Sequence, residues 1–248
     1  MSETPQNVYD NPDFFAGYKE LRRVESGLNS ALEIPALLRM LPSSLAGLRI
    51  LDLGCGFGDF ARLARSRGAG KVTAVDVSLR MLEEARRRTA DPEIQYVEAS
   101  IEDFDATPGS FDLVVSSLAF HYVCDYPTAI GRIYRLLAPG GRLVFSVEHP
   151  ICTALPEQQW CRSSEGVPLH WPVDCYRDEG LRRTKWFVDN VVKYHRTVET
   201  YVNGLIAAGF VLDRLEEPEP TPESIAARPD LAMHRRRPPF LLLAAHRD

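Results

Sequence analysis

Three glycines alternate in the stretch Asp52-Leu53-Gly54-Cys55-Gly56-Phe57-Gly58, directly after an apolar run. A side chain at any of them holds the backbone away from a ligand, so this spacing suits a tight turn with close approach. Eighteen residues beyond Gly58, Asp76 stands in VDVS. An acid there, at the end of a second strand, accepts hydrogen bonds from both hydroxyls of a ribose. The glycines depart from the dinucleotide fingerprint GxGxxG, because Asp59 holds the position of its third glycine. An acid at a helix N-terminus repels the phosphates that the helix dipole otherwise attracts. Asp52 adds a second negative charge to the same crevice, which favours a cationic nucleoside over a pyrophosphate. Capping of local N–H groups is a further role for Asp52 that coexists with the first.

Histidine has the unperturbed pKa of a general base near neutrality. His121 follows the fourth apolar run, at the sheet edge where open α/β folds bind ligands, and is the first candidate. His149, in EHP after the fifth run, is the second. His195 stands where a hairpin gives way to a helix, and N-terminal capping is a sufficient role for it.

These residues are positioned by alternating elements. Residues 13–41 read as a helical preface interrupted near Gly27 and Pro35. Strands are expected over 48–53, 71–75, 94–98, 111–116 and 142–147, with helices over 60–67, 79–89 and 126–137. Apolar runs that do not alternate, separated by amphipathic helices, indicate a parallel sheet covered on both faces. After Glu148 the rhythm breaks for about forty-five residues, longer than ordinary connections and usually functional when ordered. Within this segment, 185–195 reads as a hairpin turning at Asp189-Asn190. A helix over 195–208, a strand over 210–215, a short segment over 224–233 and a last strand over 240–245 complete the chain. One domain over 1–248 is expected: preface 1–47, cofactor-binding core 48–148, covering insertion 149–194, and terminal elements 195–248.

The 248 residues carry a formal net charge of −5, and the basic triplets at 86–88 and 235–237 are isolated. Nucleic acid is therefore not the expected partner. No apolar run is long enough to span a bilayer, and MSETPQNVYD is too polar for a signal peptide, so the expectation is a cytoplasmic protein without a membrane partner. Five cysteines without CxxC spacing argue against a disulfide framework. His149, Cys152, Cys161, His170 and Cys175 crowd one segment, but not at the spacings of common zinc modules, and no metal is assigned.

The motifs LDLGCGFGDF, VDVSLRMLEEAR, FDLVVSSLAFHYV and LLAPGGRLVFSVEHP resemble, in order, those of class I S-adenosylmethionine-dependent methyltransferases with a type 11 domain. The resemblance is to the branch holding the ubiquinone/menaquinone and malonyl-carrier-protein methyltransferases, and covers about residues 48 to 150. It implies a Rossmann-like doubly wound sheet, mostly parallel with an antiparallel last strand, and S-adenosylmethionine as cofactor. Asp52, Gly54, Cys55 and Gly56 would surround the methionine portion, Asp76 the ribose and Val77 the adenine. Ser100 stands where an acid frequently meets the adenine amino group; its hydroxyl and the N–H of Ile101 would serve instead. Ser117 and Leu118 would line the methionine side. Tyr18, with Tyr9, belongs to the preface that folds over the cofactor in similar enzymes; plain packing is the alternative for both.

Methyl transfer from a sulfonium is an in-line displacement, so holding nucleophile, methyl and sulfur collinear in a dry pocket supplies much of the catalysis. The insertion reads as a wall over a small, planar or apolar acceptor, with Tyr9, Tyr122, Trp171, Tyr176, Trp186 and His195 as candidate contacts. A satellite hydrophobic cluster under a long loop is the alternative reading. The fourth strand is followed by SSLAF rather than the Pro-Pro-aromatic signature of base-methylating enzymes. A non-catalytic cofactor-binding scaffold and a nicotinamide-dependent oxidoreductase remain as the other function classes.

Overall fold

Residues in the expected strands alternate between two buried faces, and the alternation builds the core. Leu51, Leu53, Val114, Leu143 and Phe145 meet Ile130, Ile133 and Leu205 on one side. Ile50, Val72, Val115 and Val144 meet Leu37, Met40, Ala61 and Ala64 on the other. A sheet buried on both faces explains why its strands read as continuous apolar runs.

The computed structural model describes residues 6–23 and 28–248. The preface contains α1 (Pro12–Arg23) and α2 (Ile34–Met40), the latter continuing a π-helical turn over Asn29–Glu33. The expected break at Gly27 lies outside the described residues. The expected interruption at Pro35 does not occur. Pro35 sits in the first turn of α2, where its missing N–H costs little, and the π-turn ahead of it absorbs the change of pitch.

The core then runs β1 (Arg49–Leu53), α3 (Asp59–Ser66), β2 (Lys71–Asp76), α4 (Leu79–Arg87), β3 (Ile94–Glu98), β4 (Phe111–Ser116), α5 (Tyr126–Leu136) and β5 (Leu137–Glu148). The insertion holds α6 (Pro150–Thr153), a small ribbon of β6 (Cys161–Arg162) and β7 (Pro168–His170), and the hairpin β8 (Gly180–Trp186) and β9 (Val188–His195). The chain closes with α7 (Val198–Ala207), β10 (Val211–Glu216), α8 (Pro222–Ala227) and β11 (Phe240–His246).

The seven-stranded sheet has the order β10-β11-β5-β4-β1-β2-β3. Its pairings around β1 are parallel, and β11 lies antiparallel between β10 and β5. The chain leaves β1 towards β2 and β3, then returns to β4 and β5 on the other flank. This topological switch opens a crevice at the carboxyl ends of β1 and β4.

Two local expectations need correction. The hairpin turns at Phe187, with Trp186 opposite Val188, rather than at Asp189-Asn190. Phe187 takes the left-handed conformation itself, with φ 58°, because its ring is gripped by α1. His195 does not open α7 but ends β9; Thr197 caps the helix by accepting the N–H of Thr200.

Candidate active site

β1 delivers Asp52, and β2 delivers Asp76, to the floor of one cavity of about 830 Å³, within the ~300–1,000 Å³ range of ligand pockets. Between them the glycine loop turns tightly. Gly54 and Gly58 have φ 73° and 72°. A Cβ on Gly54 would lie 2.5 Å from that of Ala119, and one on Gly58 would strike the Tyr96 hydroxyl. Those two glycines therefore make room for the protein's own side chains. Gly56 is the one whose missing side chain leaves room for a ligand, its nearest neighbour being the Tyr18 hydroxyl at 4.0 Å.

Asp76 accepts the N–H of Gly56 at 2.8 Å on one oxygen and that of Ser78 at 2.9 Å on the other. Each oxygen retains a lone pair for a further donor. Burial raises its pKa to about 6 against those hydrogen bonds. Asp52 is 3% exposed and has an oxygen without a hydrogen-bond partner. Burial, with the charges of Asp76 and Asp59, pushes its carboxyl up to about 8. A buried acid in that condition is stabilised by a cation, so the donor set fits the ammonium and sulfonium of S-adenosylmethionine and disfavours a pyrophosphate.

Val77, Ser100 and Ile101 line the far end of the cavity. Ser100 is already engaged: its hydroxyl donates to the Asp103 carboxylate at 2.7 Å and accepts the Asp103 N–H at 2.9 Å. The preface is tied down over this end. Asn7 donates to the carbonyl of Val77 at 3.2 Å, and Asp10 accepts from the Ser78 hydroxyl at 2.6 Å.

Ser117 and Leu118 line the opposite side. Leu118 holds a strained φ of 53°, fixed by its N–H bonding both the hydroxyl and the carbonyl of Ser146. Glu33, from the π-turn, accepts from the hydroxyls of Ser117 at 2.9 Å and Ser146 at 2.6 Å. π-turns frequently mark functional sites, and this one brings a buried carboxylate to the cavity wall.

Beyond lies an aromatic wall of Tyr9, Tyr18, Tyr122 and Trp186. The hairpin tip reaches it through Phe14 of α1, whose ring centroid is 5.1 Å from that of Trp186. Gln6 bonds the edge of β9 twice, donating to the Asn190 carbonyl and accepting the Val192 N–H. His121 lines this part of the cavity. Burial takes its pKa down to about 4, and its Nδ1 accepts the Glu148 N–H at 3.4 Å, which leaves the proton on Nε2. It presents a donor.

Four predicted residues lie away from the cavity wall. His149 caps α6 through Nδ1 and binds Glu217 at 2.7 Å through Nε2. His195 is buried between the Thr153 hydroxyl at 2.8 Å and the Tyr176 carbonyl at 2.9 Å. Trp171 donates to the Ile151 carbonyl and stacks under Arg237, while the Tyr176 hydroxyl accepts the Val198 N–H. These form a satellite cluster, so only the hairpin end of the insertion reaches the cavity. Among the described residues, no cluster of three or more His, Cys, Asp or Glu side chains could hold a metal ion.

The sequence reading missed Glu33, Glu148 and Lys193. Glu148 was signalled by strand alternation: 144, 146 and 148 share one face of β5, and Ser146 on that face meets Glu33.

Residues 51–145 match the family described as a methyltransferase domain. An S-adenosylmethionine dependent methyltransferase of Mesorhizobium loti is 44% identical and superimposes with a TM-score of 0.82 over 90% of this chain and 100% of that one. The chain belongs to the S-adenosylmethionine-dependent methyltransferases. An uncharacterized protein of Haemophilus influenzae is 36% identical to this methyltransferase over 97% of each chain. The malonyl-[acyl-carrier protein] O-methyltransferase of Enterobacter lignolyticus is 41% identical over 127 residues, 50% of this methyltransferase and 48% of that protein. The likeness to that branch thus spans about half of either chain. S-adenosylmethionine is the cofactor of this methyltransferase, and the oxidoreductase alternative falls with that membership.

Proposed function

We propose that the enzyme methylates a small, planar or apolar metabolite by in-line displacement, working as one cytoplasmic domain without nucleic acid or membrane. The observation that carries this reading is the continuity of one cavity from the paired acids Asp52 and Asp76 to the aromatic wall of Tyr9, Tyr122 and Trp186. A non-catalytic scaffold has no need of that second half. Among the described residues, no helix is long and apolar enough to cross a membrane.

S-adenosylmethionine supplies an electrophilic methyl on a cationic sulfur when bound. Asp52 would receive its cationic end and Asp76 the ribose hydroxyls, with Gly54, Cys55, Gly56 and Tyr18 lining the same part of the cavity. Val77, Ser100 and Ile101 pack the adenine, and Ser117 and Leu118 flank the methionine side. The preface and hairpin exclude water, which strengthens every electrostatic contact inside. His121 offers its Nε2 proton to the acceptor and orients it.

The test is a methyl-transfer screen with labelled cofactor against small planar metabolites, with mass spectrometry locating the methyl. Label appearing in such a metabolite at the expense of cofactor supports the reading. Cofactor that binds without any label transfer across the screen overturns it.

A further inference from the structure

Residues 6–10 are bonded to both halves of the cavity, which Gln6 and Tyr9 line. On the cofactor side, Asn7 donates to the Val77 carbonyl at 3.2 Å, and one Asp10 oxygen accepts the Ser78 hydroxyl at 2.6 Å and the Arg80 N–H at 3.2 Å. These partners lie in the turn that follows Asp76, whose carboxylate accepts the Ser78 N–H. On the acceptor side, Gln6 donates to the Asn190 carbonyl at 3.2 Å and accepts the Val192 N–H at 2.8 Å, both on β9. Tyr9 stands between the two, its ring centroid 5.4 Å from that of Tyr18 and 6.2 Å from that of Tyr122.

A primary amide carries the donor and the acceptor of a peptide group, so Gln6 pairs with the edge of β9 as a residue of an added strand would. Asn190, whose carbonyl it meets, has φ 62°, a left-handed backbone that persists where its surroundings hold it. The segment holds together as one body: Asn7 also donates to the other Asp10 oxygen at 2.6 Å, and the Asn11 N–H closes a turn on the Val8 carbonyl at 3.0 Å. Yet none of Val8, Tyr9 and Asp10 is buried, and Gln6 is exposed. Ties of this kind contribute little singly, so the segment belongs to the part of the fold that opens at low cost. A ligand that fills the cavity between Asp76 and Tyr9 favours the closed arrangement, and closure fixes β9.

Resting on the proposed acceptor half of the cavity, we propose that residues 6–10 are a clasp coupling the two half-sites: cofactor binding closes it, and the closed clasp holds the β8–β9 hairpin as a wall for the acceptor. Acceptor binding then follows cofactor binding, and each ligand strengthens the other by the same factor.

The experiment follows hydrogen exchange of the Val192 amide, the group that Gln6 accepts, by NMR with and without saturating S-adenosylhomocysteine. In the wild type the ligand should slow exchange about tenfold, within the ~5–150-fold span of such couplings. Asp10→Ala cuts the tie on the cofactor side and leaves Gln6 in place, so saturating ligand should then slow the same amide by less than about twofold. Gln6→Ala removes the acceptor itself, and exchange should be fast in both states. The amide spectrum reports the fold of each variant in the same measurement. Equal exchange with and without ligand in the wild type, a slowing that survives Asp10→Ala, or slow exchange in Gln6→Ala each overturns the inference. The coupling is read without any acceptor, so the broader reading fails separately, when the slowing holds but no metabolite in the screen accepts label.

Discussion

Asp52 and Asp76 end neighbouring strands, and the low-dielectric floor they share forces both carboxyls up, to about 8 and about 6. An unfolded Asp titrates near ~3.9. Between that value and about 8, the folded chain keeps a proton on Asp52 that the unfolded chain has lost. Stability of the cofactor-free protein therefore declines as pH rises through this window and levels off above it. Asp52→Asn should remove much of that decline, so that its melting temperature exceeds wild type at about pH 8, read by calorimetry. Binding a cation reverses the sense: Asp52 must ionise, so cofactor affinity should strengthen by up to about tenfold per unit between about pH 5.5 and about pH 7.5. Asp52→Asn should flatten that slope; an unchanged slope assigns it to Asp76. Asp76→Ala should weaken cofactor binding by about 1–3 kcal/mol, through lost charge-assisted hydrogen bonds, and wild-type affinity would remove the ribose role.

Elements bring these residues within reach of each other. The β1–α3 turn depends on Gly58, whose φ of 72° and closeness to Tyr96 leave no room for a side chain. Gly58→Ala should lower unfolding free energy by at least about 1–2 kcal/mol, the cost of a left-handed L-residue, measured by denaturant titration. α1 depends on Gly17 in a different way. A Cβ there would lie 2.6 Å from the Phe187 ring, so the missing side chain is what lets the hairpin tip dock. Gly17→Val should lift that tip, giving faster protease cleavage near 186–190 with little change in melting temperature. Unchanged cleavage would mean that docking of the tip does not depend on the missing side chain at Gly17.

At the scale of the whole molecule, the insertion is fastened to the sheet by a buried ion pair, Lys193 of β9 with Glu148 of β5. Removing one partner strands the other in a dry site, which typically costs about 3–5 kcal/mol, whereas removing both is often neutral. Lys193→Met should therefore destabilise strongly, and adding Glu148→Gln should restore much of the loss in a double-mutant cycle. Additive losses would show that the pair is not coupled.

The sequence by itself determined the sheet, the glycine turn and the two acids, because each is a local pattern: apolar runs of strand length, glycines at fixed offsets, an acid at a strand end. Tertiary structure decided the acceptor side. Trp186 reaches the cavity while Trp171 and Tyr176 do not, because the hairpin tip docks on α1 and the β6–β7 ribbon packs against Arg236. Strand register turns His149 towards Glu217 and leaves its neighbour Glu148 at the cavity wall. Lys193 and Glu33 carry no local signal at all. Their partners lie 45 and 84 or more positions away along the chain, and only packing of the hairpin and the preface onto the sheet brings them to the site.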